Sequence, residues 1–358
     1  MMPGSTFSAS MQVFRNLPPP ARRTPCALTI GNFDGVHRGH QALLHEVVQA
    51  AGRLGISPCV LTFEPHPREF FARIQNDAPP ATGASPATGA PPGSGAPTGT
   101  PPVLSSSQGR GLNPPHRISS LRDKLAELSV HGIERTCVMH FNERVARLDA
   151  DDFVEQILVR GLQVRWLMIG DDFRYGAKRR GDFEHLSRAA QQYGFELHSM
   201  PTVLEAGRRI SSSAVREALG AGDLDLAQTL LGRPYSVSGH VIHGRKLGRT
   251  LGFPTLNLRM PPGRPALAGI FVVRVHGLAD TPLQAVASLG TRPAVESDGT
   301  WLLETHVLDW QGDAYGKLVR IEFLRKLRDE AHYDTLDALT AQIRKDAQDA
   351  RAHFDLRS

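Results

Sequence analysis

Two hydrophobic periodicities divide this chain, and they restrict its fold more than any single motif does. Over residues 27–219 short apolar runs alternate with stretches whose apolar residues recur at helical spacing. The runs are 27–30, 59–63, 136–141, 166–169 and 195–200. Between them Leu44, Val47, Val48, Ala51 and Leu54 share a helix face, as do Leu121, Leu125 and Leu128, and then Phe153, Ile157 and Leu158. Strand–helix alternation of this kind leads to a parallel sheet covered by helices, because parallel strands need a long crossover. Ligands then belong outside the carboxyl ends of the strands. After Leu231 the pattern changes to short alternating strands at 235–242, 270–275, 284–288, 301–308 and 318–324, with Gly/Pro turns between them and a closing helix over 335–350. The expected fold class is therefore α/β plus β, the second part a small antiparallel β-barrel with a terminal helix.

The Gly and Pro content is concentrated. Residues 77–115 carry ten Pro and seven Gly of the 26 Pro and 34 Gly in the 358-residue chain. Such a tract buries too little apolar surface to offset the entropy of ordering, so it is expected to be a disordered insertion within the first domain. It contains no PxxP run flanked by basic residues. The three cysteines, Cys26, Cys59 and Cys137, show no metal-site spacing and lie in apolar runs, which reads as reduced core residues. No run approaches the length of a membrane span, and no signal-peptide pattern opens the chain. A cytoplasmic location is expected, with no membrane partner. The net charge of +5 suits anionic ligands. A nucleic-acid partner is not expected, since aromatic content is 6% and no basic stripe with interleaved aromatics occurs.

The sharpest local signal is 31–40, GNFDGVHRGH, directly after the first strand and opening the first helix. Gly31 and Gly35 let the backbone approach a ligand, and a helix N-terminus presents free N–H groups to an anion. His37 and His40 fall on one face of that terminus. They could hold nucleotide phosphates and stabilise charge during in-line attack on phosphorus. A turn with two surface histidines, or a zinc pair lacking its third ligand, are the plainer alternatives. Three further strings fit the same pocket: 63–67, FEPHP, following the second strand; 170–176, GDDFRYG, following a later strand; and 209–216, RISSSAVR, before a short helix. Serines there serve equally as helix caps or, beside arginines, as a triphosphate clamp.

With HxGH after the first strand and Ile-Ser-Ser-Ser-x-x-Arg near the end of the α/β part, the first half resembles the nucleotidyltransferase superfamily. Its fuller strings resemble the FMN adenylyltransferase module of bacterial bifunctional riboflavin kinase/FAD synthetases. That resemblance implies a Rossmann-like nucleotidyltransferase domain with a parallel sheet. It implies ATP at Gly31, Asn32, Phe33, Asp34, Gly35, His37, His40, Ser211, Ser212 and Arg216, with the two histidines stabilising the transition state. Phe63, Pro65, His66, Asp172 and Arg174 are candidates for the flavin side. Ser213 stands where the family more usually has Thr.

In the second half 243–257, HGRKLGRTLGFPTLN, joins a basic Gly-rich loop to a strand. The loop could fold over a polyphosphate, and Thr255 and Asn257 offer hard oxygen donors suited to Mg²⁺. In 301–309, WLLETHVLD, alternation puts Leu303, Thr305 and Val307 on one face and Glu304 and His306 on the other. Glu304 could be a general base or a solvated outward carboxylate. These strings, with 326–330, KLRDE, resemble the riboflavin kinase module of the same enzymes. The resemblance implies ATP bound by Gly244, Arg245, Gly248, Arg249, Gly252, Pro254 and Thr255. It further implies Mg²⁺ held by Thr255 and Asn257, and Glu304 as the base. Leu256 stands where Ala is common in the family.

The division that follows is 20–220 for adenylyl transfer, 221–233 as a linker helix and 234–358 for the kinase. Riboflavin, FMN, FAD and ATP are the implied substrates and products. A different HxGH nucleotidyltransferase fused to a regulatory barrel is the alternative reading.

Overall fold

The computed structural model describes residues 11–77, 115–205, 207–244, 252–260, 264–291 and 301–356. The expected disordered tract, 77–115, lies outside these apart from its two end residues.

The first half forms a six-stranded parallel sheet in the order β1-β4-β3-β2-β5-β6. Its strands are β1 (Gln12–Arg15), β2 (Cys26–Ile30), β3 (Ser57–Glu64), β4 (Arg135–His140), β5 (Val164–Gly170) and β6 (Glu196–Met200). The central strand β2 is buried along its whole length, as sheets covered on both faces require. Alternate residues serve the two faces. Ala27, Val60 and Trp166 pack with α1 (Arg38–Leu54) and α3 (Leu121–Val130), while Leu28, Leu61 and Leu167 pack with Leu158 and with Leu186 of α6 (Phe183–Tyr193). Because β2 lies between β3 and β5, the chain leaves it toward opposite sides of the sheet. This reversal opens a crevice at the strands' carboxyl ends.

Several elements escaped the periodicity, among them an edge strand and a helix beside the first site. Strand β1 is an edge strand in which only Phe14 is buried, so it carries no hydrophobic alternation to detect. Helix α2 (Pro67–Asp77) begins where a Pro-flanked loop was expected. Proline suits the first turn of a helix, and the buried face of this one includes Glu69 and Ala72.

The second half is a closed antiparallel barrel, ordered β10-β13-β12-β11-β14-β9. It contains β9 (Ser236–Ile242), β10 (Leu256–Arg259), β11 (Gly269–His276), β12 (Leu283–Thr291), β13 (Trp301–Val307) and β14 (Leu318–Arg328). Helix α9 (Leu336–Asp355) lies on its outer face, where Ala347, Ala350 and Phe354 meet Val272. Arg328 Nε and Nη2 reach Asp346 at 3.0 and 2.7 Å, tying the end of β14 to that helix.

Helices α7 (Ser212–Ala221) and α8 (Leu224–Leu231) connect the two sheets. Val215, Ala218, Leu219, Leu224, Ala227, Leu230 and Leu231 belong to the same apolar cluster as Val237, Phe271 and Phe323 of the barrel. Phe271 is fully buried and meets Phe323 edge-on at 5.3 Å. Phe271→Ala is expected to cost about 3–5 kcal/mol through lost contacts and a residual cavity. Urea unfolding followed by circular dichroism checks this, and a loss below about 1 kcal/mol would contradict the packing described.

Candidate functional site

The loop between β2 and α1 carries left-handed backbone at Phe33 (φ 48), Gly35 (φ 82) and Val36 (φ 40). Such conformations persist only where surroundings enforce them. A Cβ on Gly35 would come within 2.8 Å of Ile118 Cγ2, so glycine is required by contact as well as by φ. The Phe33 side chain is fully buried, which leaves its backbone on the loop as the part available to a ligand. His37 is the N-cap of α1, its Nδ1 accepting the His40 N–H at 3.3 Å. That contact puts the ring proton on Nε2, ready to donate. The His37 and His40 rings stack at 3.7 Å with 16° between planes, as their spacing predicted. Burial lowers the proton affinity of His37 from 6.5 to about 4, against the opposing pull of Asp34. Part of His40 stays at the surface, but its Nδ1 is buried without a partner among the described residues. Burial, followed by the fields of His37 and Lys124, lowers its affinity well below the ordinary value. Both rings are therefore neutral donors at neutral pH. Among the described residues no third His, Cys, Asp or Glu joins them as a metal cluster.

Asp34 organises the surrounding elements. It is 6% exposed and accepts hydrogen bonds from the amides of Ile118 (3.2 Å) and Ser119 (3.1 Å). Arg216 Nη2 lies 2.6 Å from its Oδ2, while Arg216 Nε donates to the His116 carbonyl at 2.6 Å. Ser212 Oγ donates to the Asp34 carbonyl at 3.0 Å, and Ser211 caps α7 by accepting the Ala214 N–H. The structure thus gathers Asp34, Ser211, Ser212 and Arg216 with the histidine loop, and Arg216 is engaged in holding that assembly. Asn32 Oδ1 is buried without a partner among the described residues, and Gly31 N–H donates to the Leu61 carbonyl.

The loops after β3 and β5 flank this centre. His66 Nδ1 accepts the Arg68 N–H at 3.0 Å, and burial lowers its proton affinity to about 4. Phe63 meets Phe141 edge-on at 5.7 Å, and Pro65 lies between Phe63 and His66 in the chain. Asp172 is exposed and held by Arg209 at 2.8 Å, while Arg174 donates to the Phe173 carbonyl at 3.0 Å. Among the described residues no hydrogen bond joins Asp172 or Arg174 to the Phe63–His66 turn. Sequence reasoning missed Arg117, whose guanidinium spans Glu64 and Glu69. It also missed Lys124, buried on α3, and Arg233, which donates to the Gly35 and Val36 carbonyls at 2.8 and 3.2 Å. One signal was available for the first: Arg-Ile-Ser-Ser occurs at 117–120 as well as at 209–212. Both copies grip the Asp34 loop and supply a helix cap, Ser120 in the first and Ser211 in the second.

In the barrel, Asn257 of β10 stands opposite Glu304 of β13. Glu304 is exposed while Leu303, Thr305 and Val307 face inward, as the alternation required. Asn257 is 5% exposed. Its Nδ2 donates to the Thr255 carbonyl at 3.4 Å, and its buried Oδ1 has no partner among the described residues. A Cβ on Gly244 would fall 2.6 Å from that Oδ1, so glycine lets the turn close over Asn257. His306 Nδ1–H donates to the Pro254 carbonyl at 2.9 Å and anchors the Gly252–Thr255 turn, in which Gly252 has φ 84. Glu330, unremarked in the sequence as an individual residue, packs against Gly290. Its proton affinity is raised first by burial, with the Glu304 charge adding to that effect. Arg245, Gly248 and Arg249 lie outside the described residues.

Comparison with known proteins divides the chain the same way. Residues 20–82 and 106–214 match the family described as FAD synthetase, and residues 231–354 match riboflavin kinase. The Escherichia coli (strain K12) bifunctional riboflavin kinase/FMN adenylyltransferase is 40% identical over 331 residues, covering 92% of this chain and 93% of that one. The Haemophilus influenzae protein of the same name is 38% identical over 330 residues, covering 92% and 94%. A crystal structure described as a macrolide-efflux protein from Streptococcus pneumoniae superposes with a TM-score of 0.68 at 24% identity, covering 95% of this chain and 98% of that one. This likeness concerns the fold alone. Since both halves find their relatives in one continuous alignment, the chain belongs to the family of bifunctional riboflavin kinase/FMN adenylyltransferases.

Proposed function

We propose that this chain makes both flavin cofactors in sequence. Its barrel phosphorylates riboflavin to FMN with release of ADP. Its parallel-sheet unit then transfers AMP from ATP to FMN, giving FAD and pyrophosphate. The corresponding units are 20–220 and 234–358, joined by 221–233. One observation carries the reading: a single chain holds two unlike sites suited to the two steps. Neutral, stacked His37 and His40 sit at the crevice of the sheet, and Asn257 faces Glu304 across two barrel strands.

For the kinase step, the carboxylate of Glu304 accepts the proton of the ribityl 5′-hydroxyl as its oxygen attacks the γ-phosphorus and the bond to ADP breaks. The unpartnered, buried Asn257 Oδ1, two residues from the Thr255 hydroxyl, fits a hard cation. Thr255 and Asn257 would hold Mg²⁺, which when bound neutralises phosphate charge. Gly244, Arg245, Gly248, Arg249, Gly252 and Pro254 would bind ATP there. For the adenylyl step the FMN phosphate is already an anion and needs no base. His37 Nε2–H and the His40 ring donate to phosphate oxygens as charge shifts toward the leaving pyrophosphate. Gly31, Asn32, Phe33, Asp34, Gly35, Ser211, Ser212 and Arg216 shape the ATP side. Phe63, Pro65, His66, Asp172 and Arg174 flank the flavin. Buried, free Cys26, Cys59 and Cys137 suit a reducing cytoplasm. Among the described residues no helix is long and apolar enough to cross a membrane.

With riboflavin, Mg²⁺ and ATP the protein is expected to accumulate FMN and FAD, and chromatography showing neither flavin would sink the reading. Glu304→Gln should lower FMN formation by roughly 100-fold or more while FAD still forms from supplied FMN. His37→Ala with His40→Ala should do the reverse. A folded variant that lost both activities would contradict this division of labour.

The buried histidines also set a pH dependence. His37 protonates near 6.5 in the unfolded chain but only at about 4 in the folded one, so between those values the unfolded state binds more protons. Its contribution to stability is whole above roughly pH 7 and is lost as pH falls through about 4, a loss on the order of 3 kcal/mol. His37→Gln should flatten the decline of unfolding free energy over that window. Denaturant titrations at several pH values test this, with an unchanged slope counting against it.

A further inference from the structure

Lys124 is a buried cation that neither site has used so far. It projects from the covered face of α3, one turn before Leu128, and is 6% exposed. The start of α3 is held against the histidine loop by the Ile118 and Ser119 amides on Asp34, and Ser120 caps the helix. From there the Lys124 charge acts on both the His40 and His66 rings, and the charges of Asp34, Glu64 and Glu69 act on it. Yet among the described residues no carboxylate pairs with its ammonium. Asp34 is engaged by Arg216, and Glu64 and Glu69 are engaged by Arg117.

A largely buried side chain whose ammonium has no ion pair among the described residues is costly to keep charged, and burial accordingly lowers the proton affinity of Lys124. An arriving anion removes that cost. Arg216, the arginine expected on the triphosphate side, commits its Nη2 to Asp34 and its Nε to the His116 carbonyl. The unpartnered His40 Nδ1 lies within the field of the same lysine. The Lys124 charge therefore reaches both the nucleotide-side histidine and the flavin-side one, and among the described residues no hydrogen bond or ion pair engages its ammonium.

We propose that Lys124 is a catalytic residue of FMN adenylylation, its ammonium contacting a phosphate oxygen where the FMN phosphate meets the α-phosphoryl group of ATP. This rests on the adenylyl-transfer reading above. In the step itself an FMN phosphate oxygen attacks the α-phosphorus. The new P–O–P bond forms as the bond to the β-phosphate oxygen breaks, and pyrophosphate leaves with that electron pair. Lys124 keeps its proton throughout. It offsets the repulsion between two anions and the charge on the non-bridging oxygens, where fixed positive charge in a dry site acts most strongly.

Lys124→Met, which keeps the length and removes the charge, tests this in the full chain. FAD formation from FMN and ATP is expected to fall roughly 100-fold. FMN formation from riboflavin and ATP by the same preparation should stay within about twofold, since that chemistry lies in the barrel. A raised KM for FMN assigns the contact to the FMN phosphate, and a lowered kcat at unchanged KM assigns it to the α-phosphoryl group. Either supports the proposal, and FAD formation within about threefold of the unsubstituted protein overturns it. Should the Met variant lose both activities, Lys124→Arg and Lys124→Gln decide the matter. The Arg variant must form FAD at least tenfold faster than the Gln variant, and equal rates overturn the proposal. If the unsubstituted protein forms no FAD from FMN, the adenylyl-transfer reading itself has failed.

Discussion

The buried carboxylate of Asp34 is the interaction on which the first site depends. One side chain binds the amides at the start of α3 and the guanidinium of Arg216 on α7, while its own carbonyl accepts from Ser212. Two segments distant in sequence are thereby fixed around a loop with three left-handed residues. The Arg216 side chain is 17% exposed and that of Asp34 8%, so deleting either would strand a buried charge at a cost of about 3–5 kcal/mol. Arg233 braces the same loop from the opposite direction, donating to the Gly35 and Val36 carbonyls while pairing with Glu127 at 2.9 Å. The stacked histidines follow this loop directly, and the buried Lys124 lies one turn beyond Ser120 on α3.

The two candidate sites treat their polar groups differently. In the parallel sheet Asp34 and His37 are buried and both histidines are kept neutral. In the barrel Glu304 stands on the solvent side of β13, and the interior is left wholly to packing. Helix α7 spans both regimes. Its first turn grips Asp34, and its body lies in the apolar cluster that includes Phe271 and Phe323. The pairing of Arg117 with Pro265 across the junction and the Ser238 N–H on Asp123 add polar ties between the halves.

Much of this architecture was legible beforehand. Strands covered on both faces show as continuous apolar runs and the barrel strands as alternation, so 27–30 and 301–308 were readable to within a few residues of β2 and β13. Strand β1 was invisible because an edge strand with one buried side chain leaves no period. Helix α2 was obscured because its proline looks like a loop signal in a sequence and acts as a helix start in the structure. On α3 the apolar stripe of Leu121, Leu125 and Leu128 concealed that the residue buried beside Leu128 is Lys124, since a lysine is read as solvated by default.

The sequence by itself determined which loops are the candidates for chemistry. HxGH after a strand, a Gly/Pro turn before Thr255 and Asn257, and an outward Glu304 follow from period, turn chemistry and motif spacing, all of which act over a few residues. The partners of those groups were decided by the tertiary structure. Asp34 meets Ile118 across 84 positions and Arg216 across 182, and Asn257 meets Glu304 through barrel register. Whether a charge is paired or left for a ligand depends on distance through space and on burial. Local propensity encodes neither, which is why the motif showed Arg216 as a candidate phosphate ligand but not its tie to Asp34, and why Lys124 passed unnoticed.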